Sequence, residues 1–129
     1  MMRRALPLAL AAALAAGPAA ATGTIACSGP DAAVTLGIGT LPVLAVISAR
    51  IEAGGAIWTL EGAGEGTPVV VGQAARTDRW TVVDFADPNL TRIVAELRLL
   101  RASEGNDTVE AGTLRLPGHG AYALVCEGP

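Results

Sequence analysis

Apolar and polar residues alternate along most of the chain after residue 22, in short runs that glycine-rich segments separate. Because successive side chains of a strand point to opposite faces, each alternating run predicts a β-strand with one buried face. The runs begin near Gly23, Ala33, Pro42, Ala56, Pro68, Arg79, Val94, Val109 and Ala121. About eight or nine short strands with little helix are typical of a small antiparallel β-sandwich or barrel.

The third run is the most regular one. It follows Pro42, and one of its faces is predicted to hold Val43, Ala45, Ile47, Ala49 and Ile51. Ala53-Gly54-Gly55 then predicts a tight hairpin turn, because glycine adopts the positive φ angles that such turns need. Gly72, inside a later run, indicates a β-bulge.

All four aromatic residues fall inside predicted strands. They are Trp58, Trp80, Phe85 and Tyr122. Since large aromatic side chains in strands are usually buried, we expect all four in the core rather than on a ligand-binding surface.

One segment, which begins at Asp87-Pro88, allows two interpretations. Asp and Pro suit a helix start, because Asp caps the first turn and Pro fits the first helical position. Apolar residues then recur at helical spacing, which predicts one amphipathic helix over residues 88–103. The alternative is a short helix near 88–93 and a strand over 94–102. We favour the alternative, because residues 109–116 alternate and offer that strand a hairpin partner.

The N-terminus has the pattern of a secretory signal peptide. Two arginines precede an uncharged apolar run, Ala5–Ala16, that is too short to span a bilayer. Small residues follow, with Ala19 and Ala21 at the predicted cleavage site. Residues 1–21 are therefore predicted to be a signal peptide and residues 22–129 a single β-domain. A membrane anchor is the alternative interpretation of the same run.

The only two cysteines, Cys27 and Cys126, lie near the two ends of that domain. An exported chain with two cysteines most simply forms one disulfide. This one closes a loop of about 100 residues, for which loop-closure entropy predicts a stabilisation of roughly 4–5 kcal/mol. The alternation of side chains is consistent with this disulfide. Ile25 shares a strand face with Cys27, and Leu124 shares one with Cys126. The alternatives are a buried free pair and a lipid anchor on Cys27, which follows the small residue Ala26.

Charge and composition restrict the partners and the compartment. All nine basic residues are arginines, and without the predicted signal seven remain against twelve acidic residues, a net charge of −5. Nucleic acid and anionic membranes are therefore not expected as partners, and no transmembrane segment is expected after signal removal. Arginine without lysine, beside abundant alanine and glycine, is typical of a GC-rich bacterial genome. With the signal peptide, this predicts a periplasmic or secreted protein.

The inventory of catalytic residue types is small. His119 is the only histidine, no serine lies in a nucleophile motif, and no glycine-rich loop leads into a lysine and a helix. No cofactor or metal ion is therefore expected, and the chain is not predicted to be an enzyme. Glu61 and Glu65 share one glycine-rich loop, which leaves a hydrolase with loop carboxylates as an alternative.

Two segments hold candidate binding residues, although a plain turn and a helix cap also explain them. The first is a tight turn with a histidine at its tip, a shape that can insert into a partner's cleft. Its residues are Gly118, His119, Gly120 and Tyr122. The second is an oxygen-rich loop, of the kind that can hold Ca²⁺, without EF-hand spacing. Its residues are Asp84, Asp87 and Asn89.

The order of signal peptide, early cysteine, compact β-domain and late cysteine resembles the layout of small periplasmic inhibitors of c-type lysozyme. The signature segments of that family are Ser-Gly-x-x-Tyr and Tyr-x-Cys-x-x-Gly. Here Pro117 stands where the serine belongs, one extra residue separates Gly118 from Tyr122, and Tyr122 has the wrong spacing to Cys126. The resemblance covers the layout alone and implies no inhibitory residue.

The sequence therefore predicts an exported β-domain that binds a protein partner in the cell envelope and does not catalyse a reaction. An inhibitor of a lysozyme-type hydrolase is a narrower alternative, and a hydrolase is another. The alternation does not distinguish a sandwich from a barrel, and it does not give the order of the strands.

Overall fold

The structure is a computed structural model that describes residues 23–39 and 42–127. The predicted signal peptide, with Ala19 and Ala21, lies outside these residues. The strands are β1 (Gly23–Ser28), β2 (Ala32–Gly39), β3 (Ala45–Ala53), β4 (Ala56–Leu60), β5 (Thr67–Arg76), β6 (Trp80–Ala86), β7 (Ile93–Glu104), β8 (Asp107–Leu116) and β9 (Gly120–Glu127). No helix occurs in this part of the chain.

The nine strands form one closed barrel, which decides between the two predicted architectures. Each strand pairs with the next one along the chain, and β9 pairs back onto β1. All neighbours are antiparallel except β4 and β5, which pair in parallel through Trp58–Leu60 and Thr67–Val69. The predicted turn at Gly54-Gly55 is confirmed as a two-residue hairpin connection, with both glycines at positive φ.

The parallel pair allows an odd number of strands to close the barrel. If all nine strands alternated in direction, the first and the last would be parallel. Because β5 runs in the same direction as β4, the alternation shifts by one step, and β9 meets β1 antiparallel. The loop at 61–66 makes this possible by returning the chain to the level of Trp58, with Gly62, Gly64 and Gly66 at positive φ.

The inward faces of the strands form the core. In β6, Val83 and Phe85 are fully buried, whereas Trp80 points outward. The other large, fully buried side chains are Ile25, Val34, Leu36, Ile51, Val69, Leu97, Leu99, Leu114, Leu116 and Leu124. A barrel of about this number of strands is just wide enough for side chains to fill it. Candidate sites therefore lie at its ends or on its wall.

The seam between β1 and β9 contains the disulfide. Cys27 and Cys126 lie directly opposite each other in this ladder and are bonded, which confirms the prediction. The ladder has only three residue pairs, and this pair is the middle one. Neither a free thiol pair nor a lipid on Cys27 agrees with this bond.

The short helix predicted near residues 88–93 is wrong, and a turn takes its place. The Asp87 carbonyl accepts a hydrogen bond from the Leu90 N–H at 2.8 Å, and the Asp87 N–H donates to the Arg92 carbonyl at 3.2 Å. Leu90 has a φ of 56°, a left-handed conformation that ends the turn. Leu90 and Ile93 are 66% and 41% exposed, so the segment has no buried apolar face to support a helix.

The favoured interpretation of residues 94–102 is confirmed. They lie within β7, which pairs with β6 on one side and with β8 on the other. Gly105 and Asn106 form the hairpin turn between β7 and β8. In this strand Ala95, Leu97 and Leu99 are fully buried, on one face of the alternation.

A β-bulge in β3 changes the predicted faces of that strand. Val46 and Ser48 pair with consecutive residues of β2, so Ile47 between them has no partner there. The extra residue reverses the alternation. Ala49 and Ile51 are therefore buried, whereas Ile47, predicted for the same face, is 49% exposed.

Two further expectations concern single residues. Gly72 is confirmed as a bulge, since its neighbours Val71 and Gln73 pair with consecutive residues of β6. The expectation that all aromatic residues are in the core is wrong for Trp80, which is 53% exposed on the outer wall. Trp80 is on the face of β6 that points away from the core. There its side chain lies beside that of Leu100, its exposed partner in β7.

Candidate functional site

Two turns from the candidate segments meet at one end of the barrel. The 117–119 turn follows β8, the 87–92 turn follows β6, and both lie beside the start of β5. Between them lies a groove of about 400 Å³, which we call the end groove. It is lined by Trp58, Thr67, Pro68, Asp87, Pro88, Arg92, Ile93, Val94, Pro117 and His119. The structure thus brings His119 and Asp87 to one site.

One hydrogen bond and one glycine define the histidine turn. The His119 N–H donates to the Leu116 carbonyl at 2.8 Å, and Gly118 has a φ of 82° that a side chain would strain. The His119 ring meets the indole of Trp58 edge to face, with centroids 5.3 Å apart and an interplanar angle of 82°. This contact holds an exposed histidine against a tryptophan that is only 5% exposed.

Tyr122 and Gly120 support the turn rather than lining the groove. Tyr122 is half-buried and packs against the core. A Cβ atom at position 120 would lie 2.9 Å from the Tyr122 hydroxyl oxygen, so Gly120 leaves the space that this group needs. Of the four residues predicted for this turn, only His119 lines the groove.

The carboxylate of Asp87 stabilises the second turn. Its Oδ1 accepts hydrogen bonds from the backbone N–H groups of Thr91 and Arg92, and its Oδ2 accepts one from the Thr91 hydroxyl, all at 2.8 Å. The hydroxyl bond and then the backbone bonds hold the pKa of Asp87 below its usual value of 3.8, because they favour the ionised form. Asp87 is therefore occupied within its own turn and positions Pro88 and Arg92.

Arg92 supplies the charge that the end groove offers to a ligand. Among residues 23–39 and 42–127, no carboxylate forms an ion pair with its guanidinium. The remaining wall is largely apolar, with the rings of Pro68, Pro88 and Pro117 and the side chain of Ile93. A free guanidinium beside such a wall suits a ligand that presents a carboxylate next to apolar groups.

Asp84 and Asn89 do not share a site with Asp87. Asp84 is buried on the outer side of β6, where its carboxylate accepts hydrogen bonds from Arg98 Nη1 at 2.7 Å and from the Gln73 amide. The bond to Asp84 raises the pKa of Arg98. Asn89 is an exposed turn residue. The described residues contain no group of three His, Cys, Asp or Glu side chains that could hold a metal ion.

A polar cluster lies at the opposite end of the barrel. Glu110 is 8% exposed, and its Oε2 lies 3.3 Å from Arg101 Nε and 3.8 Å from Arg76 Nη2. Thr81 pairs with Arg76 in the β5–β6 ladder and buries a hydroxyl for which the described residues offer no hydrogen-bond partner. These residues come from four strands, so no local sequence pattern could indicate that they meet.

Sequence patterns also did not indicate most of the end groove. Trp58 fitted the pattern of a core residue, and it does bury its indole there. Thr67 and Pro68 reach the groove through the parallel pairing of β5 with β4, which leaves no local signal. Arg92 and Ile93 fell at the end of the expected helix. Only Asp87, which has the pattern of a helix cap, indicated from the sequence where the turn in the groove begins.

Comparison with known proteins finds no matching family model, no matching curated protein and no matching solved structure. The fold and the site therefore define the class of this protein by themselves. It is a nine-stranded β-barrel with a disulfide across its closing seam and a groove at one end.

Proposed function

We propose that this protein is an exported binding domain that recognises a partner protein of the cell envelope through the end groove. The observation that supports this best is the convergence of two turns on one groove that holds the His119–Trp58 contact and an unpaired Arg92. A concave site with a largely apolar wall and a few polar groups is the usual form of a binding site.

Binding explains the charged groups better than catalysis does. A general base needs lone pairs that face the substrate. In the groove, however, Asp87 is occupied by its own turn, and His119 packs against Trp58. Outside the groove, Glu65 is paired with Arg50. A hydrolase with loop carboxylates stays a prediction that no geometry supports.

The chemistry of the groove suggests which segment of a partner it recognises. Arg92 favours a carboxylate, because guanidinium–carboxylate pairs are strong and directional. Pro68, Pro88 and Pro117 present apolar surface close to this charge. The proposed ligand is therefore a protein segment with an acidic side chain beside apolar ones.

We place this interaction outside the cytoplasm, in the periplasm or the surrounding medium. The Cys27–Cys126 disulfide is compatible with an oxidising compartment. The signal-peptide pattern of residues 1–21 supports the same location. Among the strands and turns of residues 23–39 and 42–127 there is no helix with the length and apolar character to cross a membrane.

Affinity capture with matched variants tests the proposal. The mature, oxidised protein is immobilised and exposed to envelope extract and to a panel of muramidases, and mass spectrometry identifies the bound species. We expect one stoichiometric partner, bound about tenfold more weakly after Arg92→Ala, a change of about 1.4 kcal/mol. Arg79→Ala is the control, since Arg79 is also exposed and forms no ion pair with any described residue, but lies at the other end of the barrel.

Two results would contradict this proposal. One is the absence of any retained partner. The other is a partner that Arg92→Ala and His119→Ala bind as tightly as the unchanged protein does, because the end groove would then not be the binding surface.

An inhibitor of a lysozyme-type hydrolase is the second candidate. It is favoured by the position of His119, exposed at the tip of a turn that the hydrogen bond to Leu116 keeps tight. We expect His119→Ala to raise the inhibition constant for a muramidase while the variant stays folded, which a cooperative urea unfolding transition checks. Equal inhibition by both proteins, or no inhibition at all, would exclude this candidate.

A further inference from the structure

A second cavity lies on the outer wall of the barrel, beside the end groove. It has a volume of about 380 Å³ and is called the side pocket below. Arg92 and Ile93 line both cavities, so the side pocket and the end groove meet at these two residues. The side pocket is further lined by two residues of β5, one of β6 and one of the 87–92 turn, which are Gly72, Gln73, Asp84 and Leu90.

Gly72 keeps the side pocket open. Its φ lies outside the left-handed region, so the backbone of this bulge does not require a glycine. A Cβ atom at position 72 would lie 3.4 Å from the Asp84 carbonyl oxygen, 3.8 Å from the Ala86 Cβ and 3.9 Å from the Ile93 Cδ1. These are ordinary van der Waals distances, and all three residues line the pocket. A side chain at position 72 would therefore be compatible with the fold and would fill the pocket.

Leu90 is an unusual residue at the edge of this pocket. Its φ of 56° is unfavourable for a residue with a side chain, and 66% of its surface is exposed. Neither the backbone geometry nor the core thus accounts for a leucine at this position. Residues in such conformations cluster at ligand-binding sites. Together with Ile93, which is 41% exposed, Leu90 offers apolar surface to a ligand in the side pocket.

The polar side of the pocket offers hydrogen-bond acceptors. Asp84 is 6% exposed, and its two carboxylate oxygens accept hydrogen bonds from Arg98 Nη1 and from the Gln73 amide nitrogen. Each of these oxygens has a second lone pair, and the Gln73 amide oxygen can also accept a hydrogen bond. Arg98 reaches Asp84 from β7 and does not line the pocket. On the side of β5, Asp84 meets only the neutral Gln73, so a ligand there encounters acceptors.

The charges in this part of the wall favour a cationic donor over a neutral one. Asp84 lies directly opposite Glu96 in the β6–β7 ladder, so two carboxylates are neighbours. Each of them binds one arginine, Asp84 through Arg98 and Glu96 through Arg115. A hydrogen bond from a charged donor to a carboxylate is about twice as strong as one between neutral groups. An ammonium group therefore suits the acceptors of the side pocket best.

We propose that the side pocket binds an alkyl chain that ends in an ammonium group, as in the side chain of lysine. The ammonium group donates hydrogen bonds to Asp84 and Gln73, while the methylene groups pack against the apolar edge of the pocket. As a statement about the partner, this inference rests on the proposed function: the segment in the end groove carries a lysine close to its acidic side chain. Arg92 then binds the acidic group and Asp84 the basic one, so opposite charges alternate along the surface.

n-Butylammonium is the probe, because it has the charge and the chain length of a lysine side chain. The mature, oxidised protein is titrated with it at constant ionic strength while NMR follows the backbone amides. We expect saturable shifts confined to residues 72–73, 84–86 and 90–93, with a dissociation constant on the order of 10 mM. n-Butanol has the chain without the charge, and methylammonium has the charge without the chain. We expect each of them to bind about tenfold more weakly.

Two variants test the residues that shape the pocket. Gly72→Val fills it, and we expect the probe to bind about tenfold more weakly. Gly39→Val is the matched control in β2, where a Cβ atom meets the Ala45 Cβ at 3.6 Å, and it leaves probe binding unchanged. Leu90→Gly removes the unfavourable conformation together with the apolar contact. We therefore expect this variant to unfold at a higher urea concentration and to bind the probe about threefold more weakly.

Three results would overturn the proposal. One is the absence of saturable shifts at about 100 mM n-butylammonium. Another is equal binding of n-butanol, because the pocket would then recognise only the chain. The third is unchanged binding by Gly72→Val, which would place the probe elsewhere on the protein.

The side pocket and the proposed function can fail separately, because the probe needs no partner. A captured partner that depends on Arg92, together with no binding of n-butylammonium, would uphold the end groove and reject the side pocket. Binding of the probe without any captured partner would uphold the side pocket as an ammonium site and reject the partner.

Discussion

At the scale of single residues, Thr59 and Thr81 form a natural comparison. They are 4% and 1% exposed, but only Thr59 has a partner, since its hydroxyl donates to the Glu65 carbonyl and fastens the loop after β4. The Thr81 hydroxyl, opposite Arg76 in the β5–β6 ladder, finds no hydrogen-bond partner within the part of the chain that the structure describes. A buried hydroxyl without a hydrogen bond costs about 1–3 kcal/mol, whereas a satisfied one contributes about 1 kcal/mol.

Valine has nearly the shape of threonine, so Thr→Val tests the two hydroxyls separately. We expect Thr81→Val to raise the free energy of unfolding by about 1 kcal/mol and Thr59→Val to lower it by about 1 kcal/mol. Urea unfolding of both variants measures this. If Thr81→Val destabilises the protein as much as Thr59→Val does, the Thr81 hydroxyl has a hydrogen-bond partner after all.

The turn at Asp87 makes a prediction about pH. Its pKa in the folded protein is lowered, so its hydrogen bonds stabilise the turn above the ordinary pKa of 3.8 and are lost as the pH falls through the lower folded value. We expect the Thr91 amide resonance to titrate with a midpoint below 3.8 and to lose this transition in Asp87→Asn. A midpoint at or above 3.8 would show that the carboxylate is not held by Thr91 and Arg92.

At the scale of the elements, two turns place different residues in the left-handed region. Leu90 has a φ of 56° and Gly105 a φ of 60°. This conformation costs a residue with a side chain roughly 1–2 kcal/mol, whereas glycine adopts it freely. We expect Leu90→Gly to raise the free energy of unfolding by about 0.5 kcal/mol and Gly105→Ala to lower it by about 1 kcal/mol.

Urea unfolding of these two variants, with Leu90→Ala as the control for the lost side chain, measures the effect. Leu90 is 66% exposed, so Leu90→Ala removes little packing and is expected to change stability by less than about 0.5 kcal/mol. A glycine at position 90 that is no better than alanine would mean that the backbone of this turn stores no strain.

The elements themselves were largely predictable, because alternation and turn residues are local. The two bulges differ in this respect. Gly72 marked its bulge by being a glycine within a strand, whereas the bulge at Ile47 lies in an apolar run with no such marker. The helix near 88–93 was expected because Asp87 resembles a cap, but a cap without a buried apolar face does not make a helix.

At the scale of the whole molecule, the disulfide reinforces one of the two shortest ladders of the barrel. The β1–β9 ladder has only three residue pairs, and Cys27 and Cys126 are separated by 99 positions in the sequence. We expect the double variant Cys27→Ser, Cys126→Ser to lose roughly 4–5 kcal/mol of unfolding free energy, measured by urea unfolding. Hydrogen exchange of the variant should accelerate first in β1 and β9. An unchanged urea midpoint in the double variant would contradict a stabilising role for the bond.

The candidate site was only partly predictable. His119 and Asp87 stood out locally, as a turn tip and as a cap. Their meeting depends on strand order, and the end groove also depends on the parallel pair that brings Thr67 beside Trp58. Neither property leaves a periodic pattern in the chain, since strand order is set by contacts between distant residues.

The parallel pair also shows how this barrel is composed. Without residues 56–66, β3 would run antiparallel to β5, and the remaining eight strands would alternate in direction around the ring without exception. The topology is thus that of an even, up-and-down meander of eight strands with one additional short strand, β4, between β3 and β5. The extra strand forms the Trp58 side of the end groove, so the proposed binding surface depends on the one strand that breaks the alternation.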